Sequence, residues 1–242
     1  MSADVTNTEY GPAAALRAVL ERDRILAILR YPQGGDIASC LAAVLATGLG
    51  AGEVTADTPG GLDAIAQEAA KGHLVGLGTV LTPAKVRDCQ AAGGSFVVSP
   101  AADPDVIRQA KQLGLAVIPG VMSPTEVALA ERLGVRLLKL FPAGNLGPGY
   151  LRALLGPFAG RDFLPTGGIS QANAAAFLEA GALALGVGGD LFGRVAPDNA
   201  DQLAQYQEAV TEKVRQFQAQ LPNPTGQLGE HSATQEEAAS QN

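Results

Sequence analysis

Of the five lysines in the chain, Lys71, Lys85, Lys111, Lys139 and Lys213, one stands apart. Lys139 sits in Leu137-Leu138-Lys139-Leu140-Phe141-Pro142, among apolar neighbours, whereas the other four lie in helix-patterned stretches beside polar residues. Alternation along a strand sets Leu137, Lys139 and Phe141 on one face and Leu138 and Leu140 on the other. A lysine on an enclosed face loses its water, which penalises the ammonium form and draws its pKa toward neutrality. A neutral amine is the nucleophile that forms a Schiff base with a ketone. That chemistry needs a proton shuttle, and Glu53, in Gly52-Glu53-Val54-Thr55, is the candidate. A desolvated glutamate has a raised pKa and can both take and give protons. The competing reading of both residues is a structural ion pair, and the two readings are linked, since two inward groups would be each other's partner.

A third feature suits an anion. Thr166-Gly167-Gly168-Ile169 and Gly186-Val187-Gly188-Gly189 are glycine-rich turns that follow apolar runs. Glycines expose backbone N–H groups, and phosphate is often held that way after the last two strands of a barrel. Asp190 beside the second turn opposes an anion, so the N–H groups would have to outweigh it.

The elements that must position these residues follow one repeated pattern between about residue 24 and residue 195. A short apolar run is followed by a turn with Gly, Ser, Thr or Pro, and then by a stretch of helical period. The runs are Ile25–Leu29, Gly52–Thr55, Leu74–Leu77, Phe96–Ser99, Ala116–Pro119, Leu137–Phe141, Phe163–Thr166 and Leu183–Val187. Thr82-Pro83, Asp103-Pro104 and Ser123-Pro124 each place an N-cap residue before a proline at the first helical position. Gly48, Gly93, Gly114, Gly134 and Gly181 follow helix-patterned stretches closely, as C-terminal glycines do. Serial β/α units without hairpin signals predict an α/β protein, a single-domain (β/α)8 TIM barrel. An open doubly wound sheet is the alternative, but it would normally stop at five or six strands. Arg17 to Arg22 reads as the end of an N-terminal helix that could plug the barrel bottom, and Gln202 to Gln218 as a final amphipathic helix. The expected organisation is a flexible stretch at 1–10, the barrel at 11–220 and a disordered tail at 221–242, where Pro, Gly, Ser, Gln and Glu dominate.

Composition removes several classes. The formal charge of -7 argues against a nucleic-acid backbone binder. The two histidines, His73 and His231, are too few for a histidine-rich metal site. Cys40 and Cys89 lie far apart, which suits small buried fillers in a reduced chain. Ile37 to Gly52, an uncharged stretch of 16 residues, is broken by glycines, whereas a spanning helix wants about 20. With no signal-peptide pattern at Met1-Ser2-Ala3-Asp4, the expectation is a soluble cytoplasmic protein.

Taken together, Ala27-Ile28-Leu29-Arg30, Glu53-Val54-Thr55, Gly78-Thr79-Val80, Ser99-Pro100, Ile118-Pro119-Gly120, Lys139-Leu140-Phe141-Pro142 and Pro165-Thr166-Gly167-Gly168-Ile169 carry a family resemblance. From about Arg24 to Phe192 the chain resembles the class I aldolases of 2-keto-3-deoxy-6-phosphogluconate (KDPG) and 4-hydroxy-2-oxoglutarate (KHG). The resemblance implies a homotrimeric (β/α)8 enzyme that acts on a small keto-acid sugar phosphate, with no cofactor, metal, nucleic acid or membrane partner. It implies Lys139 as the Schiff-base lysine and Glu53 as the general acid/base. Thr79 would contact the pyruvate carboxylate, Pro100 and Phe141 would line the pocket, and Arg30 would project from the end of the first strand toward the same mouth. Thr166, Gly167, Gly168, Gly188 and Gly189 would lie in the substrate and phosphate loops. One departure stands out: several members carry arginine four residues after the glutamate, where this chain has Asp57. A carboxylate cannot replace a guanidinium fork. The rival readings are a metal-dependent aldolase or barrel isomerase, which would not need Lys139, and a sugar-phosphate-binding barrel without turnover.

Overall fold

In the computed structural model, residues 11–222 are described. The readings of 1–10 and of the tail, apart from Leu221 and Pro222, fall outside the described residues. Helix and strand alternate almost throughout. After α1 (Pro12–Asp23) come β1 (Ile25–Leu29), α2 (Ile37–Ala46), β2 (Ala51–Thr55), α3 (Gly61–Ala69), β3 (Leu74–Gly78), α4 (Pro83–Ala91), β4 (Phe96–Val98) and α5 (Pro104–Gln112). Then follow β5 (Ala116–Ile118), β6 (Gly120–Val121), α6 (Pro124–Arg132), β7 (Leu137–Leu140), α7 (Ala143–Leu155), β8 (Asp162–Pro165), α8 (Gln171–Glu179), β9 (Leu185–Val187), α9 (Gly189–Phe192) and α10 (Ala200–Ala219).

Every strand pairing is parallel. Six strands run in the order β5-β4-β3-β2-β1-β9 and three in the order β6-β7-β8. The fifth predicted run, Ala116–Pro119, is corrected: β5 ends at Ile118, and a further short strand, β6, follows Pro119. Proline has no N–H to give a ladder, although its carbonyl still accepts from Lys139 N at 2.9 Å. A parallel bridge between Thr166 and Gly186 joins the end of β8 to β9.

The caps follow the sequence. Asp103 accepts from the backbone N–H groups of Asp105 and Val106, Thr82 accepts from Lys85 N, and Ser123 with Glu126 forms a capping box. Gly48, Gly93, Gly114, Gly134 and Gly181 all have positive φ, as expected of residues that close helices in the left-handed region.

Two apolar groupings result. One lies between the strands and the surrounding helices and includes Ile25, Ala27, Leu29, Leu138 and Leu140. The other lies on the opposite strand faces and gathers Leu26, Ala51, Phe96, Val98, Ala116, Ile118, Leu164 and Leu183 around Leu16 and Leu20 of α1. Leu26, Ala51, Phe96 and Ala116 come from the first half of their strands, and Leu183 lies just before β9. The N-terminal helix therefore plugs the end of the sheet where the strands begin, as its position in the sequence suggested. That leaves the strand ends to hold the site.

Candidate active site

Lys139 and Glu53 both lie on the inner strand face. Leu138 and Leu140 pack outward, while Leu137 packs beside the inner grouping, so Lys139 shares its face as alternation requires. In register, Lys139 stands opposite Gly120 and Leu164, and Glu53 opposite Ile28 and Gly76. Glu53 is 1% exposed and Lys139 5% exposed.

Burial sets the proton chemistry of both groups. It pushes the Glu53 carboxyl up to about 7, against the opposing pull of the positive charges on Lys139 and Arg30. Loss of water likewise brings the Lys139 ammonium below its ordinary range. The Glu53 charge works against that shift and the Arg30 charge reinforces it. Glu53 Oε2 is buried with no hydrogen-bond partner among the described residues, so the carboxyl is not consumed by a structural contact. A buried amine that holds its proton less tightly than usual and a buried carboxyl that holds one more tightly form an acid–base couple.

Glycines make room for this couple. A Cβ on Gly78, at the end of β3, would collide with the Glu53 carboxyl. On Gly76 it would collide with Phe96, and on Gly186 with Thr166. Sequence reasoning missed Gly76, and it placed Gly78 and Gly186 in motifs without their packing partners. Glycine inside a strand pattern marks close approach but not its partner.

The remaining predicted residues gather at the strand ends. The Phe141 ring lies beneath Lys139 Nζ, 5.1 Å from the ring centroid, and is partly exposed. Gly167 faces the same ring, since a Cβ there would stand 2.8 Å from Phe141 Cε2. Gly144 N donates to Gly167 O at 2.7 Å, and Ala143 N donates to Thr166 O at 2.8 Å. The start of α7 is thereby bound to the turn after β8. Pro100 is half-buried over Gly120, where a Cβ would meet the Pro100 carbonyl. Gly188 and Gly189 lie at the start of α9, separated from Gly167 and Gly168 by α8 but joined to them through the Thr166–Gly186 bridge.

Arg30 and Thr79 meet directly. Arg30 Nη2 donates to Thr79 Oγ1 at 2.7 Å, and Arg30 Nε lies 3.5 Å from Asp57 Oδ1. Asp57 does not stand in for the missing arginine; it pairs with the one that is present. Thr79 has φ of 57°, a left-handed conformation that strains a β-branched residue. Such strain persists only where the surrounding structure holds it, and it concentrates at functional sites.

Among the described residues, no three His, Cys, Asp or Glu side chains gather as metal ligands would. Cys40 and Cys89 are buried on α2 and α4 as apolar fillers, and burial pushes their thiols up to about 12 and about 11. His73 pairs with Glu68 through Nδ1 at 2.7 Å, on the connection between α3 and β3.

Comparison with known proteins decides between the readings that this geometry allows. The family model described as KDPG and KHG aldolase matches residues 16–206. The chain belongs to the KDPG and KHG aldolase family. It is an aldolase, a carbon–carbon lyase. It is 39% identical over 168 residues to the 2-dehydro-3-deoxy-phosphogluconate aldolase of Pseudomonas aeruginosa, covering 68% of this chain and 76% of that one. It is 31% identical over 203 residues to the 2-dehydro-3-deoxy-6-phosphogalactonate aldolase of Escherichia coli, covering 79% and 96%. Among solved structures, KDPG aldolase from Legionella pneumophila, with pyruvate captured as a covalent carbinolamine intermediate, matches with a TM-score of 0.72 at 26% identity. That match covers 87% of this chain and 99% of the other.

Proposed function

We propose that this aldolase cleaves 2-keto-3-deoxy-6-phosphogluconate to pyruvate and glyceraldehyde 3-phosphate through a Schiff base on Lys139. The observation that carries this reading is the buried Lys139 and Glu53, with their proton affinities displaced toward each other. Neutral Lys139 Nζ attacks the C2 ketone, and the carbinolamine loses its hydroxyl as water with a proton from Glu53, giving an iminium. Glu53, now a carboxylate, accepts the C4 hydroxyl proton directly or through a bridging water. The C3–C4 bond then breaks, and its electron pair flows into the iminium to leave an enamine. Glyceraldehyde 3-phosphate departs. Protonation of the enamine at C3 and addition of water to the iminium release pyruvate and restore the amine. The iminium is the electron sink, so no step calls for a metal or other cofactor.

Thr79 and Arg30 serve the carboxylate end of the substrate, Pro100 and Phe141 its carbon chain, and Thr166, Gly167, Gly168, Gly188 and Gly189 the distal end. The same chemistry on 2-keto-3-deoxy-6-phosphogalactonate is the second reading. It is favoured by the relative of that name, which aligns over nearly its whole length. 4-Hydroxy-2-oxoglutarate, within the family's description, would use the same Lys139 couple. We also infer that the six- and three-stranded sheets are two arcs of one closed (β/α)8 barrel. The Thr166–Gly186 bridge on one side and the Lys139-to-Pro119 hydrogen bond on the other support closure. A homotrimer acting in the cytoplasm completes the proposal.

Borohydride reduction in the presence of pyruvate tests the central step. Peptide mass analysis should find the reduced pyruvate adduct on Lys139, and Lys139→Arg should carry none. Folded wild-type protein that shows no adduct on Lys139 would overturn the mechanism.

A further inference from the structure

One cation at the strand-end face has no part in the mechanism above. Arg194 lies on the segment between α9 and α10, and its Cγ and Nε are each 3.3 Å from where a Cβ on Gly189 would stand. The arginine stem is thus laid against the glycine turn after β9, and the missing side chain at Gly189 is what admits it. The segment that carries it is well anchored. Ala196 and Pro197 are buried, Tyr31 Oη donates to Phe192 O at 2.7 Å, and Asp36 N donates to Pro197 O at 3.3 Å. A Cβ on Gly35 would stand 2.6 Å from Ala196 Cβ, so the segment also sits close on the loop before α2.

The Arg194 guanidinium itself is exposed, and no ion pair among the described residues includes it. Arg30, by contrast, is engaged by Thr79 and Asp57. Electrostatics makes the difference matter. Asp190 is exposed beside the same turn, and its carboxylate repels an anion that only backbone N–H groups would hold. A guanidinium at Gly189 offsets that repulsion and offers a planar fork matched to phosphate oxygens.

We propose that Arg194 is a specificity-determining residue of this aldolase, pairing with the anionic group at the end of the substrate remote from the ketone. Arg30 then serves the keto-acid end, and the two arginines divide the substrate's two charges. This rests on the aldolase reading and adds a side-chain determinant for the phosphorylated form of the substrate.

The test compares the full chain with Arg194→Gln and Arg194→Lys on 2-keto-3-deoxy-6-phosphogluconate and on unphosphorylated 2-keto-3-deoxygluconate. Arg194→Gln should lose about 10- to 100-fold in kcat/KM on the phosphorylated substrate, mostly through KM, as loss of a charge-assisted hydrogen bond implies. The unphosphorylated substrate should be cleaved as before, and Arg194→Lys should recover part of the loss. Inorganic phosphate should inhibit the wild type competitively and Arg194→Gln much more weakly. Equal losses on both substrates, or none on either, would overturn the assignment. Pyruvate trapping on Lys139 separates the two levels of failure. Trapping with unchanged discrimination refutes Arg194 alone, and no trapping in the wild type refutes the aldolase reading with it.

Discussion

Lys139 and Glu53 hold their chemistry in a balance between burial and mutual attraction. Water is removed from both, so each is pressed toward its neutral form, while the charge of each favours the ionised form of the other. The consequence is a dependence on pH in two observables. With its proton affinity at about 7, Glu53 passes from acid to base across neutrality, so kcat/KM should rise with pH through about 7 where the base form limits cleavage. Stability should move the other way. The folded carboxyl keeps a proton that the unfolded one releases near its ordinary value of 4.5. The native state therefore binds more protons between about 4.5 and about 7, and this group's contribution to stability falls as pH rises through that window. Glu53→Gln removes both effects. Its turnover should drop by about 10²–10⁴-fold, the usual worth of a positioned acid–base group, while pyruvate still traps Lys139 on prolonged incubation but more slowly, since Glu53 also supplies the proton for iminium formation. Urea unfolding of both proteins at pH 5 and pH 7.5 checks the second part. An unaltered pH dependence in the variant would show that Glu53 is not the group concerned.

At the scale of elements, the strands were legible because their apolar runs are short and punctuated, and Ile25–Leu29 was read with its observed bounds. Helix starts were legible where proline follows a capping residue, as at Asp103-Pro104. Lys139 and Glu53 could be read as inward because a charged residue is costly in a buried strand unless it is paired or does chemistry. Other features are settled by neighbours distant in sequence. Nothing in Gly76-Leu77-Gly78 says that one glycine yields to Phe96 and the other to Glu53, since both partners lie on adjacent strands. The left-handed Thr79 and the Arg30–Asp57 pair are likewise products of where β1, β2 and β3 end. The end of the fifth strand at Ile118 was missed, although the missing N–H of Pro119 was visible in the sequence. Gly78→Ala tests the reading of the glycines. The new methyl group enters the space of a fully enclosed carboxyl, so the variant should lose about 1–3 kcal/mol of stability through overpacking and should lose turnover as Glu53 is displaced. Gly149→Ala, where a Cβ would meet nothing within 4 Å, is the matched control and should leave melting and turnover intact. Wild-type turnover in Gly78→Ala would dissociate the glycine from the site.

Across the whole molecule, stability and chemistry are assigned to opposite ends of the strands. Leu16 and Leu20 of α1 are 1% and 0% exposed, packed with Leu26, Ala51, Phe96 and Ala116 from the first halves of their strands. Arg30, Thr79 and Thr166 follow directly after strands β1, β3 and β8, at the other end. Such a division lets the reactive end tolerate a strained Thr79 and an enclosed amine, because the closed end supplies apolar burial that none of the chemistry disturbs. Leu20→Ala measures it. Truncating a fully buried leucine costs about 2–5 kcal/mol, which for a domain of this size lowers Tm by roughly 2–4 °C per kcal/mol. Well below that melting point, kcat/KM and the pyruvate adduct on Lys139 should match the wild type, since the cavity opens behind the strand starts and not at the mouth. A folded Leu20→Ala protein with impaired turnover would mean that packing at the closed end is transmitted to Lys139 and Glu53. The interior would then have to be treated as one cooperative unit, with the α1 plug setting the geometry of the acid–base couple.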